Sequence, residues 1–382
     1  MFIQLHALTS YPSALLNRDD VGFPKTLPFG GKTRTRVSSQ CLKYHWRKYD
    51  GDRSLKDAEI PLAVRSREIF RDLVAERLDA PPPHAAAAAF TMQAHVVKAK
   101  SPTKTNITNI LDSEDPMSET STDQPLVLGP AEIDHLRGIA QDLCDEAVEA
   151  DEDDVVGVFT DAPVNKDQMK NFSSGLDAAL FGRMATSEVL SQTNAALHVA
   201  HAFTVHPQEQ ETDYFAVVDD LTSAEGEKGS SHLNSKELTS GLYYSYVAVD
   251  VPLLVDNLNE DPQIAAEVMR RFVHIMATVS PGAKLSSTAP HSRARCLLAE
   301  ASDGQPRTLA NAFRDAVPQA GAVQESYDAL DHYVTEMDGM YGTDGQERRV
   351  AGMDLPENFA GAEQTTVPDI AEWTAEQITN AQ

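Results

Sequence analysis

Cysteine is scarce in this chain. Cys41, Cys144 and Cys296 are the only three in 382 residues, far apart and odd in number. That excludes a disulfide framework and leaves no close pair for a zinc knuckle. A reducing, cytoplasmic location is expected from this usage. Long apolar runs are also missing, and no stretch approaches the roughly 20 residues that a membrane helix needs. The opening segment, Met1 to Ser10, alternates like a strand and lacks the charged start and apolar block of a signal peptide. No internal repeat is present, so any repetition must come from copies of the whole chain. The motif His-Glu-x-x-His does not occur. Gly30-Gly31-Lys32-Thr33 is not a P-loop either, because Thr26 stands where the first glycine belongs.

Positive charge is in deficit overall: 32 Lys and Arg against 58 Asp and Glu, a formal net of −26. A polyanion is held mainly by Lys and Arg, so the average argues against a nucleic-acid partner. The distribution argues otherwise. Over residues 1–56 ten Lys and Arg face four Asp, an excess of six positive charges, so the rest of the chain carries −32 of the total −26. Where charge sits matters more than its sum, although a solvated basic face is the favoured reading of the charge taken alone.

The hydrophobic pattern predicts a strand over 2–9, a turn-rich loop over 11–29, a short strand over 33–37 and a helix over 40–48, with Ser38 or Ser39 as its cap. Helical periodicity runs from 55 to 78 and from 131 to 150. The Ser-, Thr- and Asp-rich stretch 100–125 reads as loop or disorder. Residues 242–251 form the clearest strand, helices are expected over 261–278 and 308–336, Gly282 to Ala289 reads as a loop, and the last forty residues are acidic and poorly patterned.

Several constellations could carry chemistry. In 29–40, Gly30 and Gly31 would let the backbone approach a phosphate, Lys32, Arg34 and Arg36 alternate along an extended segment, and Ser38 and Ser39 open a helix whose free N–H groups attract anions. Lys43, Arg47 and Lys48 add charge along that helix. An exposed turn and helix without a ligand is the plain alternative. In Gly182-Arg183-Met184-Ala185-Thr186-Ser187 a flexible Met beside an Arg could pack on a base, though a core methionine is the commoner reading. Tyr214 and Phe215, in a polar stretch, suit base stacking or the anchoring of a surface hairpin. His198, His201, His206 and His232 lack zinc-site spacing and read as structural. Asp19-Asp20 beside Arg18 reads as a salt-bridged turn, with a metal-dependent nuclease site as the sharper alternative.

Taken together, these motifs closely resemble the CasC-type backbone subunit of type I-E CRISPR Cascade. The resemblance rests on Leu16-Asn17-Arg18-Asp19-Asp20, Phe29-Gly30-Gly31-Lys32, Arg34, and Arg36-Val37-Ser38-Ser39-Gln40 with Leu42-Lys43. It continues through Gly182 to Ser187, Ala200-His201-Ala202, Ala216 to Leu221, Ser231-His232-Leu233, Ser240-Gly241, Pro281 to Lys284 and Ala310 to Phe313, while 57–170 contributes almost nothing. It implies an α+β fold: an RRM-like (ferredoxin-like) palm over 1–56, 173–203 and 241–382, a helical fingers insertion over 57–172 and a β-hairpin thumb over 204–240. It also implies a non-enzymatic protein without cofactor or metal that binds CRISPR RNA and stacks with copies of itself, hexameric as a rule, beside other Cascade subunits. The guide would then be presented to target DNA in antiviral defence. Arg18, Lys32, Arg34 and Lys43 would contact the RNA backbone, with Arg36, Ser38, Gln40, Arg47 and Arg183 in the same motifs. Met184 and Phe215, beside Tyr214, would flank a displaced base, and Lys284 would approach the RNA from a palm loop. Leu285-Ser286 stands where family members can carry further polar or basic residues. The competing readings are a metal-dependent endoribonuclease of the related type III kind, acting through Asp19 or Asp20, and a protein-only scaffold.

Overall fold

The computed structural model describes residues 1–98, 101–151, 154–160, 162, 166–169, 172–184, 189–216, 233–343 and 345–381. The chain divides into two compact units. One comprises Met1–Leu55, Leu197–Val255 and Asp261–Gln382, the other Lys56–Ala196 with Asp256–Glu260.

The first unit is built on a mostly antiparallel sheet. Strand β1 (Phe2–Ala14) lies between Leu233–Asp250 and Ala294–Ser302, with Phe2 opposite Asp250 on one side and Ser302 on the other. A strand with two neighbours and two covered faces must bury every side chain, and residues 3–8 of β1 are all buried, including Gln4 and His6. Those polar groups are satisfied within the unit. Gln4 Oε1 accepts from the Tyr246 hydroxyl at 2.8 Å and the Arg307 N–H at 2.6 Å, while His6 bonds to Glu300 and Tyr244. Outward from the long strand Leu233–Asp250 the sheet continues through Ala202–Thr204 to β3 (Lys32–Val37) and β2 (Thr26–Phe29). On the other side it runs through Ala294–Ser302 and Glu347–Gly352 to Glu363–Gln364, the last pair being parallel.

Helices Pro262–Thr278 and Val367–Asn380 pack on each other and on the sheet. A separate cluster joins Leu8, Tyr244 and Leu298 to Phe313, Tyr327, Leu330 and Phe359. The strand Gln210–Ala216 pairs antiparallel with Leu233–Thr239, so the polar stretch after 207 includes a hairpin arm continuous with the central strand. Residues 217–232 and the side chains of Tyr214 and Phe215 lie outside the described residues. The backbone of Phe215 is opposite Asn234.

The second unit has its own core. Ala85–Ala89 are all buried in helix Pro82–Lys98, packed with Ile133, Leu136 and Ala140 of helix Pro130–Glu149. The alanine run is therefore a close-packing face. The stretch 100–125 differs from the expected loop, for it holds helix Lys104–Leu111. Thr103 and Asn106 close a reciprocal cap there, and Ile107 and Ile110 supply two buried anchors that average polarity conceals.

Residues 173–196, expected in the first domain, cluster with this second unit. Leu176 N–H donates to Pro61, Asp177 accepts from Ala63 N–H at 2.6 Å, and Arg183 pairs with Glu132. Other boundaries shift as well. The 55–78 periodicity breaks into a strand, a π-helical turn and short 3-10 turns. The expected 308–336 helix is a 3-10 turn at Ala310–Phe313 followed by helix Ala322–Tyr341. The loop from Gly282 contains a single helical turn, Leu285–Thr288. The last forty residues contain helix Val367–Asn380, capped by Thr366 and Asp369.

Candidate nucleic-acid interface

β2 and β3 meet in a two-residue turn. Phe29 pairs with Lys32, and Gly30 and Gly31 between them have φ of 58° and 72°. Such a turn needs positive φ at both central positions. Gly30 also passes so close to the Arg314 carbonyl that a Cβ would lie 1.5 Å from its oxygen, whereas Gly31 has open space around it. Gly30 therefore serves close backbone packing within the protein. Lys32, at the tip, is exposed.

The three alternate cations of β3 differ in exposure. Arg34 is 0% exposed. It donates at 3.0 Å to the carbonyls of Thr204 and Phe313 and lies over the Phe29 ring at 5.9 Å. Burial lowers its pKa from the ordinary arginine value. Arg34 is thus corrected from a phosphate contact to an internal clamp. Spacing by two puts Lys32, Arg34 and Arg36 on one face of the strand, and Arg34 differs from the other two in being covered there by Thr204 and Phe313.

Arg36 is half-buried, donating to the Thr26 carbonyl at 3.0 Å and to His201 Nδ1 at 2.8 Å. Desolvation first, then the charges of Arg36 and Lys25, lower the His201 pKa and favour the neutral acceptor form. Lys25 was not singled out from the sequence, since only tertiary structure gathers it with Arg36 and His201.

Helix α1 (Ser39–Lys48) starts at Ser38, whose Oγ accepts from Cys41 N–H at 3.3 Å. The Ser38 N–H donates to Asn17 Oδ1 at 2.9 Å. Ser38 is buried, and its Oγ serves as the helix cap. The first turn of α1 carries no acid, and its last turn carries His45, Arg47 and Lys48. Gln40 is exposed, and Lys43 and Arg47 are half-buried. Burial pushes the Cys41 thiol up to about 11, which leaves it unreactive at neutral pH.

Two further segments join this helix. His45 donates from Nδ1 to the Cys41 carbonyl at 2.8 Å and accepts from Gly282 N–H on Nε2 at 3.2 Å. Ala283 N–H donates to the Leu15 carbonyl at 2.9 Å. The segments that carry Arg18, the basic residues of α1 and Lys284 are thereby joined from three remote stretches. Arg18 is exposed and Lys284 half-buried. Asp19 Oδ1 accepts from the N–H groups of Val21, Gly22 and Phe23 at 2.8–3.0 Å, the arrangement of a turn-organising carboxylate.

In the second unit Arg183 is also corrected. It is buried, with Nη1 2.6 Å from Glu132 Oε2 and Nη2 on the Ser191 carbonyl and hydroxyl. Its neighbour Met184 is 90% exposed, the reverse of a core methionine. Met184 borders a cavity of about 380 Å³ lined by Arg65, Val96, Pro125, Leu126 and Leu190. His206 is buried and satisfied, holding the Pro207 carbonyl and accepting from Leu242 N–H.

A family model described as CT1975-like protein matches residues 3–376, nearly the whole chain. The chain belongs to this Cas7-like family. Among solved structures, a chain of a "CRISPR RNA-guided surveillance complex, pre-nicking" is 28% identical with a TM-score of 0.76, over 99% of this chain and 100% of that one. A second, from a "CRISPR RNA-guided surveillance complex", shares the fold at 24% identity and a TM-score of 0.68, with the same coverage. No curated protein matches significantly. In this CT1975-like chain the described residues contain no group of three or more His, Cys, Asp or Glu placed to hold a metal, and no helix long and apolar enough to cross a membrane.

Proposed function

We propose that this chain is the CRISPR-RNA-binding backbone subunit of a type I-E Cascade complex. The observation that carries the reading is the joining of the segments that bear Arg18, the cations of α1 and Lys284 through the contacts Ser38–Asn17, Gly282–His45 and Ala283–Leu15. Family membership and the likeness to surveillance-complex chains support it. Lys32, Arg36, Lys43, Arg47 and Lys284 neutralise guide phosphates, while sequence is left to base pairing with target DNA. The first unit acts as an RRM-like palm, Lys56–Ala196 as fingers, and the hairpin arms Gln210–Ala216 and Leu233–Thr239 as the base of a thumb. Met184 and Phe215 flank a base displaced at regular intervals. Copies stack into a filament, hexameric in the assembled complex, and other Cascade subunits complete it for antiviral DNA interference in the cytoplasm.

The protein acts without catalysis. The endoribonuclease reading loses support because Asp19 already accepts from three backbone N–H groups. Co-expression with a CRISPR RNA followed by imaging tests the proposal. A helical RNA-bound filament is expected, and recovery of an RNA-free protein overturns it. Cleavage of bound RNA with Mg²⁺, lost in Asp19→Ala or Asp20→Ala, would restore the nuclease reading.

A further inference from the structure

Two large apolar side chains are exposed beside the contact that joins α1 to the loop of Lys284. Tyr44 on α1 is 54% exposed and Leu285 is 55% exposed. Both border the same contact. The Tyr44 ring lies edge-on to the His45 ring at 5.3 Å between centroids, and His45 Nε2 accepts from Gly282 N–H at 3.2 Å. Gly282 in turn packs against the Leu285 side chain, so that a Cβ on it would stand 2.5 Å from Leu285 Cδ2. Cations neighbour both in the chain, Lys43 before Tyr44 and Arg47 three positions after it on α1, and Lys284 immediately before Leu285.

Single exposed apolar residues are ordinary on a protein surface. Here the two, 241 positions apart in the chain, adjoin the two partners of one hydrogen bond, His45 and Gly282, which joins the net-positive segment 1–56 to the loop of Lys284. Charge complementarity selects a polyanion as the occupant. An aromatic ring and an aliphatic side chain offer a polyanion nothing except contact with a base face. We infer that Tyr44 and Leu285 form a shelf on which one unpaired nucleobase of the bound RNA packs, Tyr44 by stacking and Leu285 by van der Waals contact.

The inference rests on the RNA-binding reading above. It adds a sequence-tolerant, salt-insensitive contact to the electrostatic ones. A base on this shelf is held by its face, leaving its hydrogen-bonding edge uncommitted.

The test uses the full chain and a CRISPR RNA carrying 2-aminopurine at successive positions, with affinity measured from 50 to 300 mM KCl. Tyr44→Ala is expected to weaken binding about tenfold, the scale of one lost stacked base. It should leave the salt slope unchanged and raise 2-aminopurine fluorescence at a defined position. Tyr44→Phe, which keeps the ring, should restore affinity to within twofold, and Leu285→Asp should weaken binding like Tyr44→Ala. Lys43→Ala should instead flatten the salt slope. Binding by Tyr44→Ala within twofold of the parent, or a flattened slope in that variant, overturns the shelf while Lys43→Ala upholds the RNA interface. If neither Tyr44→Ala nor Lys43→Ala weakens binding, the RNA-interface reading falls and the shelf with it.

Discussion

Arg183 and Glu132 form a buried ion pair, 2.6 Å between Nη1 and Oε2, with side chains 2% and 0% exposed. Glu132 Oε2 also accepts from Gly129 N–H at 2.8 Å, so one carboxylate both closes the start of helix Pro130–Glu149 and anchors the segment after Gly182. Removing one partner of such a pair strands a buried charge at a cost of about 3–5 kcal/mol. Arg183→Ala is therefore expected to lower unfolding free energy by that amount in urea titration, with no change in the salt slope of RNA binding for the folded fraction. A flattened slope at unchanged stability would return Arg183 to the RNA surface.

Arg34 and Lys32 stand two residues apart and separate stability from binding. Arg34→Ala leaves the Thr204 and Phe313 carbonyls without their donor, each at about 1–3 kcal/mol. Arg34→Lys should recover little of the loss, because an ammonium does not reproduce the planar fork. Lys32→Ala should keep the melting temperature and weaken RNA binding independently of sequence. Loss of one phosphate contact lowers the salt slope by about 0.7 for a single strand. Thermal melts and salt-dependent binding on both variants decide the matter.

Gly30 and Gly31 predict an ordered pair of effects. Gly30→Ala combines a φ of 58° with a 1.5 Å approach to the Arg314 oxygen, while Gly31→Ala meets only the φ of 72°. Both should destabilise, Gly30→Ala by several-fold more in free energy. Equal denaturation midpoints would show that the Arg314 contact yields without cost.

Glu300 gives a pH dependence. Burial by itself raises its pKa. The hydrogen bond and charge of His6, with the guanidinium of Arg348, more than reverse that and hold the carboxyl at about 2 against an ordinary 4.5. A carboxylate depressed in the folded state contributes stability that is complete above its unfolded pKa and is lost as pH falls toward the folded one. Urea stability should therefore hold from neutrality down to about pH 5 and decline from about 4.5 towards 2. Glu300→Gln should lower stability at neutral pH and shrink the decline. An unchanged acid limb in that variant would assign it to other carboxylates.

Local patterning determined much of this molecule. The apolar alternation of residues 2–9 sets β1, the Ser38 hydroxyl before a helical run sets the start of α1, and paired glycines between Phe29 and Lys32 set a hairpin turn. Each depends on neighbours within a few residues. The excess of cations over 1–56 and the ordered motifs marked the region and the family by the same local means. Tertiary structure decided which cations are available. Arg34 and Arg36 alternate identically in sequence, yet one is buried under Phe313 and Thr204 while the other reaches His201. Arg183 looks like a ligand-facing residue until Glu132, 51 positions earlier, comes to meet it. The joining of α1 to Lys284 and Leu285 depends on His45 reaching Gly282 across 237 positions. The burial of a charge and the companions of an exposed ring depend on segments the chain brings in from far away, and local spacing carries no record of them.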